Sequence, residues 1–119
     1  MMNTQEIAAR LFELTSTNQH EAAYNELFSE DALNIEPSHS QGMQSVKGLE
    51  AIRAKSAGFN AGIEEVHSAY NHEPKVFGPY IFMEMGMDVT MKGMGRMDMR
   101  EMCKYEVKDG KIISEEFFY

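Results

Sequence analysis

The chain of 119 residues contains a single cysteine, Cys103, only three prolines and no tryptophan. One cysteine excludes an intrachain disulfide and any zinc site built from several cysteines, and it suits a reducing compartment. Cys103 is expected to be a small buried hydrophobic residue rather than a reactive thiol. No run approaches the roughly 20 apolar residues of a membrane span, and the first residues lack the pattern of a secretory signal. We therefore expect a cytoplasmic protein with no membrane partner.

Positive charge is also scarce, because 11 Lys and Arg stand against 19 Asp and Glu and give a formal net charge of −8. This field repels phosphate backbones, and no basic patch compensates for it, so no nucleic-acid partner is expected. None of the four histidines has a partner at metal-ligand spacing, and no glycine-rich phosphate loop or calcium loop is present. The sequence therefore predicts neither a metal site nor an organic cofactor.

The composition that remains, 43% hydrophobic and 25% charged, is that of a soluble globular protein. The length fits one domain, residues 1–119. Asn3 and Glu6 have the spacing of a helix capping box and predict a helix over residues 4–15. Asn18 and Glu21 repeat this spacing, and they predict that a second helix starts there, with Leu27 and Phe28 on its apolar face.

The middle of the chain predicts one short strand and one helix. Residues 32–36 alternate apolar and polar side chains, so either Leu33 and Ile35 or Asn34 and Glu36 face the interior. The polar stretch 37–48 reads as a loop long enough to border a site. Helical spacing then returns from Leu49 to Phe59, with an end near residues 58–62.

From residue 63 onward the hydrophobic period is two, which predicts strands at residues 63–71, 75–76, 80–91, 97–107 and 111–119. Asp109 and Gly110 tolerate the positive φ of a type I′ turn, so they predict a tight hairpin. The chain thus begins with helices and continues with an antiparallel meander, which is the pattern of an α+β domain.

This order of elements resembles that of SnoaL-like domains of the nuclear transport factor 2-like superfamily, which includes polyketide cyclases and ketosteroid isomerases. Residues 27–37, 48–52 and 105–119 are similar to the signature stretches of these domains, and together the likeness covers essentially the whole chain. It implies a cone-like α+β fold, in which N-terminal helices pack on a strongly curved, mixed, mainly antiparallel sheet that encloses a pocket.

The resemblance also implies where chemistry would lie. Ketosteroid isomerases carry their carboxylate base just before a proline at the end of the first strand, which matches Glu36 here. Their oxyanion-binding tyrosine matches Phe12, and their protonated aspartic acid matches about Met102 or Cys103. Steroid isomerisation is therefore not expected, because both oxyanion donors are missing. The implied activity is that of a cofactor-independent isomerase, cyclase or dehydratase acting on a small apolar or carbonyl-containing molecule.

Strand alternation gives an independent test of where a pocket carboxylate lies. Glu101 is the one acid on the apolar face of residues 97–107, where its neighbours are Met99, Cys103 and Tyr105. A carboxylate there must be paired, hydrogen-bonded or raised in pKa by burial, and a Glu that reaches the rim or pairs with an Arg remains the alternative. Glu36, by the same reasoning, is either a solvated strand end or part of a polar pocket wall.

His67 alternates with Ile63 and Glu65, so it faces either the pocket, as an acid or base, or the solvent. The candidate catalytic residues are therefore Glu36, Glu101 and His67. The candidate ligand-binding residues share a predicted position on a pocket wall or at its mouth: Phe12, Asn34, His39, Phe59, Asp88 and Tyr105.

A rival hypothesis makes the protein a non-catalytic ligand-binding or dimeric interaction module, with a cone filled by its own side chains. The odd-numbered row from Met83 to Val89, or the row beside it, predicts a homodimer, because monomers avoid exposing such apolar patches. If a pocket exists, Glu36 and Glu101 should border it from opposite walls. One of the two should then keep its proton to higher pH, because carboxylates that share a low-dielectric site repel each other.

Overall fold

A computed structural model describes all residues, Met1–Tyr119. It contains three helices and seven strands. In chain order these are α1 (Thr4–Ser16), α2 (His20–Leu27), β1 (Phe28–Ile35), β2 (Val46–Lys47), α3 (Leu49–Ala61), β3 (Ile63–Asn71), β4 (Lys75–Phe77), β5 (Tyr80–Met91), β6 (Gly95–Lys108) and β7 (Lys111–Phe118). The predicted α+β class is confirmed. None of the helices has the length and apolarity needed to cross a membrane.

The two N-terminal helices begin differently. The capping box of α1 is confirmed, because the Asn3 side chain accepts a hydrogen bond from Glu6 N at 2.9 Å and the Glu6 side chain accepts one from Asn3 N at 2.9 Å. The predicted cap of α2 at Asn18 is wrong. Asn18 has a φ of 57°, a left-handed conformation, whereas an N-cap residue ordinarily has extended backbone. The helix begins at His20, after Gln19.

The sheet is mixed and mainly antiparallel, as the resemblance implied. Its strands lie in the order β2-β1-β7-β6-β5-β3, with β4 paired to β5. Only β1 and β7 run parallel to each other. Asp109 and Gly110 have φ angles of 51° and 75°, and they join β6 to β7 in the predicted tight hairpin. The cone-like arrangement of helices on this open sheet is therefore confirmed.

The first strand differs from its prediction. It begins at Phe28 rather than at residue 32, because α2 ends at Leu27 and Phe28 already has extended φ and ψ angles of −94° and 144°. A bulge in its pairing with β7 accommodates the polar residues that broke the alternation. The short strand β2 lies within the predicted loop 37–48, and two residues carry no period by which a strand could be recognised.

Alternation decides which side of the sheet is the inner face, the face that packs under the helices. Ile81, Met83 and Cys103 are at most 1% exposed, and they share one core with Ile7 and Leu11 of α1. The odd-numbered residues of β5 therefore point inward, so the Met83 row is not free to form a dimer. The even-numbered row points to the outer face of the sheet.

Candidate functional site

A continuous set of hydrogen bonds crosses the inner face near the end of β1. Asn34 donates from Nδ2 to Oε1 of Glu115 at 2.7 Å, and its Oδ1 accepts a hydrogen bond from Lys55 Nζ. The same Nζ lies 2.6 Å from Oε2 of Glu36. We call Glu36, Lys55, Glu101 and Glu115 the acid cluster, and the Asn34 amide links two of its members.

Sheet register and helix periodicity bring these residues together. Asn34 of β1 and Glu115 of β7 are register partners, so their side chains project inward side by side. Lys55 follows Ile52 by three residues on α3, and Ile52 is only 1% exposed, so the lysine stem lies on the packed face of the helix. The aliphatic stem can then cross apolar surface while the ammonium reaches the carboxylates.

Glu36 lies just past the end of β1, and its side chain is only 6% exposed. Its second oxygen, Oε1, accepts a hydrogen bond from the Tyr119 hydroxyl at 2.8 Å. That hydroxyl also lies 2.7 Å from Oγ of Ser40, and His39 Nε2 lies 2.8 Å from the Tyr119 carbonyl oxygen. Both oxygens of Glu36 are therefore engaged, and the loop after β1 is tied to Tyr119.

Glu101 has poorer partners. It is half-buried on β6, opposite Met85 in the sheet register, and its Oε1 lies 3.7 Å from the Cys103 sulfur. Burial, with a smaller contribution from the negative charge of Glu36, raises the pKa of Glu101 to about 7, against the opposing effects of Cys103 and Lys55. Glu101 therefore retains its proton to higher pH than an ordinary glutamic acid does.

Glu115 forms a second buried acid in the same region and is only 5% exposed. Burial raises the pKa of Glu115 to about 7, although the hydrogen bond from Asn34 favours its ionised form. This value of about 7 includes the charges of Glu101 and Glu36, which raise the pKa, and the charge of Lys55, which lowers it. Glu101 and Glu115 therefore both exchange protons near neutral pH, and their titrations are coupled.

The neighbouring hydroxyl and thiol groups are kept neutral. Burial raises the pKa of the Cys103 thiol and the pKa of Tyr105, so neither ionises near neutral pH. Cys103 is fully buried, as predicted, with its sulfur 3.5 Å from Sδ of Met85. The Tyr105 hydroxyl lies 4.0 Å from the same sulfur. These residues form an apolar, sulfur-rich wall beside Glu101.

Several of the candidates deduced from the sequence meet here. Asn34, Glu36, Glu101 and Tyr105 all lie on the inner face, and His39 lies at its margin against Tyr119. The two acids stand on the same side of one sheet, however, and not on opposite walls. Lys55 reaches the cluster from α3.

The two aromatic candidates make no hydrogen bond within the cluster. Phe12 of α1 is half-buried and packs against the hydrophobic core. Phe59 is half-buried on α3, four residues after Lys55 and so on the same helix face. Both remain predicted ligand contacts.

His67 and Asp88 belong to the outer face, which corrects their predicted place at the pocket. A bulge in β3 lies between Val66 and Ser68, and the His67 ring contacts Glu65 at 2.8 Å and Thr90 at 2.7 Å. Alternation places Asp88 opposite to the inward Met row, where Arg96 donates two hydrogen bonds to it, at 3.0 and 2.9 Å.

Lys55, Glu115 and Tyr119 are absent from the candidates deduced from the sequence. The position of Lys55, three residues after Ile52, was a readable signal. Glu115 alternates with Phe117, but the bulge that interrupts the pairing of β6 and β7 hides which face it takes. The contact between Tyr119 and Glu36 joins residues 83 positions apart, and only the fold creates it.

Neither a metal site nor either of two open surface depressions lies at the acid cluster. No group of three or more His, Cys, Asp or Glu side chains is arranged to hold a metal ion. Two open surface depressions lie elsewhere, one along residues 47–51 and the other between the N-terminus and the β6-β7 turn, and no member of the cluster lines either. A ligand pocket at the cluster therefore stays a prediction.

Comparison with known proteins gives the family. The model of the SnoaL-like domain matches residues 2–119. The chain belongs to the SnoaL-like family. It is similar in structure to a Mesorhizobium loti protein assigned as a SnoaL-like polyketide cyclase, with 33% identity over 99% of this chain and 100% of that one and a TM-score of 0.91.

More distant SnoaL-like and isomerase-like structures share the fold. A SnoaL-like polyketide cyclase homologue from Jannaschia sp. CCS1 is 18% identical over 97% of this chain and 83% of that one, with a TM-score of 0.74. A Catenulispora acidiphila protein with a ketosteroid isomerase-like fold, crystallised with trimethylamine, is 19% identical over 98% and 87%, with a TM-score of 0.72. No functionally curated protein matches this SnoaL-like chain.

Proposed function

We propose that this SnoaL-like protein binds a small, largely apolar carbonyl compound and moves a proton from the carbon next to the carbonyl group, without a cofactor. The observation that supports this best is Glu101, a half-buried carboxyl with a pKa of about 7 beside an apolar wall. A general base works best when its pKa lies near the working pH. An isomerase, cyclase or dehydratase could each begin with this step.

Glu101 suits the role of base better than Glu36 does. Both oxygens of Glu36 already accept hydrogen bonds, from Lys55 and from Tyr119. Glu101 has only the weak sulfur contact with Cys103 at 3.7 Å. Its carboxylate therefore has lone pairs available for a proton of a bound ligand.

The proton transfer keeps atoms and charge in balance. An oxygen of ionised Glu101 takes the α-proton, and the electrons of the broken C–H bond form an enolate whose negative charge lies on the carbonyl oxygen. In an unsaturated ketone, return of the proton from Glu101 to another carbon of the extended enolate completes an isomerisation. In a cyclisation the enolate carbon attacks a second carbonyl, and Glu101 returns its proton to the alkoxide that forms there. Tyr105 and Met85 would line the ligand on the sheet side, with Phe12 and Phe59 on the helices.

Exchange of α-protons tests this function directly. Small ketones are incubated with the protein in heavy water, and loss of the α-proton signal is followed by NMR. We expect Glu101→Gln to slow the catalysed exchange by about 100-fold or more, the usual contribution of a general base. The rate should rise with pH through about 7, because only the ionised acid accepts the proton. Glu106→Gln, on the outer face of the same strand, is the control, and unchanged exchange in Glu101→Gln contradicts the proposal.

A non-catalytic binding or interaction module is the second candidate function. It is favoured by the packing of the cone, where Phe28 stacks edge-on with Tyr24 at 5.2 Å and with Tyr105 at 6.4 Å between ring centroids. Aromatic side chains thus occupy space that a ligand would need. A thermal-shift screen with apolar compounds separates a filled interaction module from a protein that binds a ligand, because a ligand at 100 times its dissociation constant stabilises the native state by about 2.7 kcal/mol. A ligand that binds without α-proton exchange would then favour the non-catalytic binding module.

We also propose a cytoplasmic homodimer, in which the outer face of the sheet pairs with that of a second copy. Leu33, Met102 and Phe118 are 40%, 40% and 45% exposed there, and Met102 and Phe118 are register partners. Lys104 and Glu116 lie beside them and offer charges of opposite sign. Light scattering at micromolar concentration should give the mass of a dimer, and Met102→Lys should give a monomer. A wild-type monomer would refute the proposal.

A further inference from the structure

Removing a proton next to a carbonyl group leaves a negative charge that the protein must stabilise, and this term commonly dominates such catalysis. The positions at which ketosteroid isomerases hold their oxyanion donors carry Phe12 and Met102 or Cys103 in this chain. None of these side chains is a strong donor. The proposed function therefore lacks a group for the developing oxyanion unless the fold supplies one from elsewhere.

Lys55 has the chemistry and the position to be that group. It is the only cation in the acid cluster, and its side chain is 14% exposed. A lysine ammonium has three N–H donors. Asn34 Oδ1 and Glu36 Oε2 occupy two of them, which leaves one for an oxygen of a ligand.

Its surroundings hold the ammonium in place. Nζ lies 6.0 Å from the centroid of the Phe117 ring, so an aromatic face limits access of water on that side. The side chain of Glu36 is 6% exposed, and its Oε2 lies 2.6 Å from Nζ. Lys55 is thus a fixed, partly desolvated positive charge, and such a charge acts more strongly than one in water.

Lys55 also interacts with Glu101, the proposed base. The positive charge of Lys55 lowers the pKa of Glu101 and also that of Glu115, so it interacts with both acids. A ligand oxygen between Lys55 and Glu101 would therefore be close to a cation at the moment when the adjacent carbon loses its proton to Glu101.

We propose that Lys55 is a second catalytic residue, which donates its remaining N–H to the oxygen of an enolate or phenolate ligand. This inference rests on the proposed function. Asn34 and Glu36 are then positioning residues, because they bind Lys55 and not the ligand.

An acidic site can hold an oxyanion if its net charge does not change when the oxyanion forms. A neutral ligand enters, and its proton moves to the Glu101 carboxylate while one negative charge moves to the ligand oxygen. The net charge of the site is the same before and after the step. An anion that enters already ionised meets the charges of Glu36, Glu101 and Glu115 instead, so neutral carbonyl compounds and phenols are the preferred class.

The probe is 4-nitrophenol, which enters as a neutral phenol and whose ionised form absorbs at longer wavelength than the neutral form. We expect the ratio of bound phenolate to bound phenol to fall at least about tenfold in Lys55→Gln, which corresponds to one unit in the pKa of the bound probe. Lys55→Arg keeps the charge and should keep most of the ratio. Lys92→Gln, in the exposed β5-β6 turn, is the matched control.

A measurement on the wild type covers the case in which Lys55→Gln fails to fold. The nitrogen-15 resonance of Lys55 Nζ should shift when 4-nitrophenol is added, and that of Lys92 should not. An unmoved Lys55 signal, an unchanged phenolate ratio in folded Lys55→Gln, or no binding of the probe each overturns the inference. If exchange of ketone α-protons depends on Glu101 but not on Lys55, the proposed function stands and the catalytic role of Lys55 is rejected. A Lys55-dependent phenolate without any ketone exchange would retain the oxyanion site and reject the proposed function.

Discussion

The two faces of the sheet treat the same kind of side chain in opposite ways. On the inner face burial raises the pKa of Glu101 and of Glu115 to about 7. On the outer face the pKa of Glu84 lies below its ordinary value, chiefly because Tyr70 donates a hydrogen bond to it. The pKa of Asp88 is likewise lowered, chiefly by its hydrogen bonds from Arg96.

The difference in pKa comes from how far water reaches each acid and from the hydrogen bonds that each acid accepts. Glu84 is half-buried and accepts hydrogen bonds from Tyr70 at 2.8 Å and from Arg100 at 3.3 Å. Glu115 is shielded from water and accepts one from a neutral amide. Acids that water reaches and that accept several hydrogen bonds are held ionised, whereas a buried acid with a single donor keeps its proton to higher pH. The outer face thus has the chemistry of a solvated surface, and the inner face has that of a shielded interior.

The largest expected effect concerns stability and pH. Glu101 and Glu115 have native pKa values of about 7 against an ordinary value of 4.5. Between these values the unfolded chain releases protons that the native state retains, so the free energy of unfolding should fall as pH rises. Each acid contributes up to about 3 kcal/mol of this loss. Urea unfolding from pH 4.5 to 8 measures it.

Two variants give this measurement its controls. Glu115→Gln should remove part of the loss, because it removes one of the titrating groups. Glu84→Gln should instead lower stability near neutral pH, because it removes the stabilisation that the lowered pKa of ionised Glu84 provides, and its difference from wild type should disappear as the pH falls through that lowered pKa. A wild-type stability that is flat between pH 4.5 and 7 would contradict the raised values.

The link between the two halves of the cluster should also be costly to remove. Asn34→Ala leaves Glu115 and Lys55 without their shared partner in a buried setting, which should cost about 2–3 kcal/mol of unfolding free energy. Asn25→Ala is the matched control, since Asn25 is exposed and accepts a hydrogen bond from Arg53 at the surface. Equal losses of unfolding free energy in the two variants would show that the inner hydrogen bonds stabilise the protein no more than a surface hydrogen bond does.

A smaller effect is expected where the outer face depends on a glycine. A Cβ at Gly86 would lie 2.3 Å from the Tyr70 ring, so Gly86→Ala must displace the tyrosine at a cost of about 1–3 kcal/mol. Displacement also removes the Tyr70 hydrogen bond, so the pKa of Glu84 should rise toward its ordinary value. Carbon-detected NMR titration measures this change, and Gly86→Ala with an unshifted Glu84 would contradict it. Adding Tyr70→Ala should relieve the clash and restore part of the lost stability.

The smallest effect should come from the exposed pair of Asp88 and Arg96. Their two hydrogen bonds are short, but surrounding water screens the charges. A double-mutant cycle with Asp88→Asn and Arg96→Gln should give a coupling too small to move the midpoint of urea unfolding measurably. A coupling as large as the loss in Asn34→Ala would remove the contrast between the two faces.

Much of the fold was predictable because its signals are local. The hydrophobic period of two predicted strands at residues 63–71 and 80–91, and these ranges match the observed bounds of β3 and β5. Asp109-Gly110 correctly predicted the last hairpin. The alternation of β6 likewise put Glu101 inward beside Cys103 and Tyr105. Asn18 misled the prediction of α2, because asparagine also favours the left-handed turn conformation that it adopts here.

By itself, the sequence determined the fold class, the family and one inward acid, because periodicity, turn residues and signature stretches lie within a few positions of each other along the chain. Only the tertiary structure decided that Lys55 of α3, Glu115 of β7 and Glu36 after β1 share one network, because its bonds join residues from 19 to 81 positions apart. It also decided that His67 and Asp88 face outward, because a bulge and the packing of the helices choose the side of the sheet. A period shows that two faces differ, and burial under other elements decides which of them is inside.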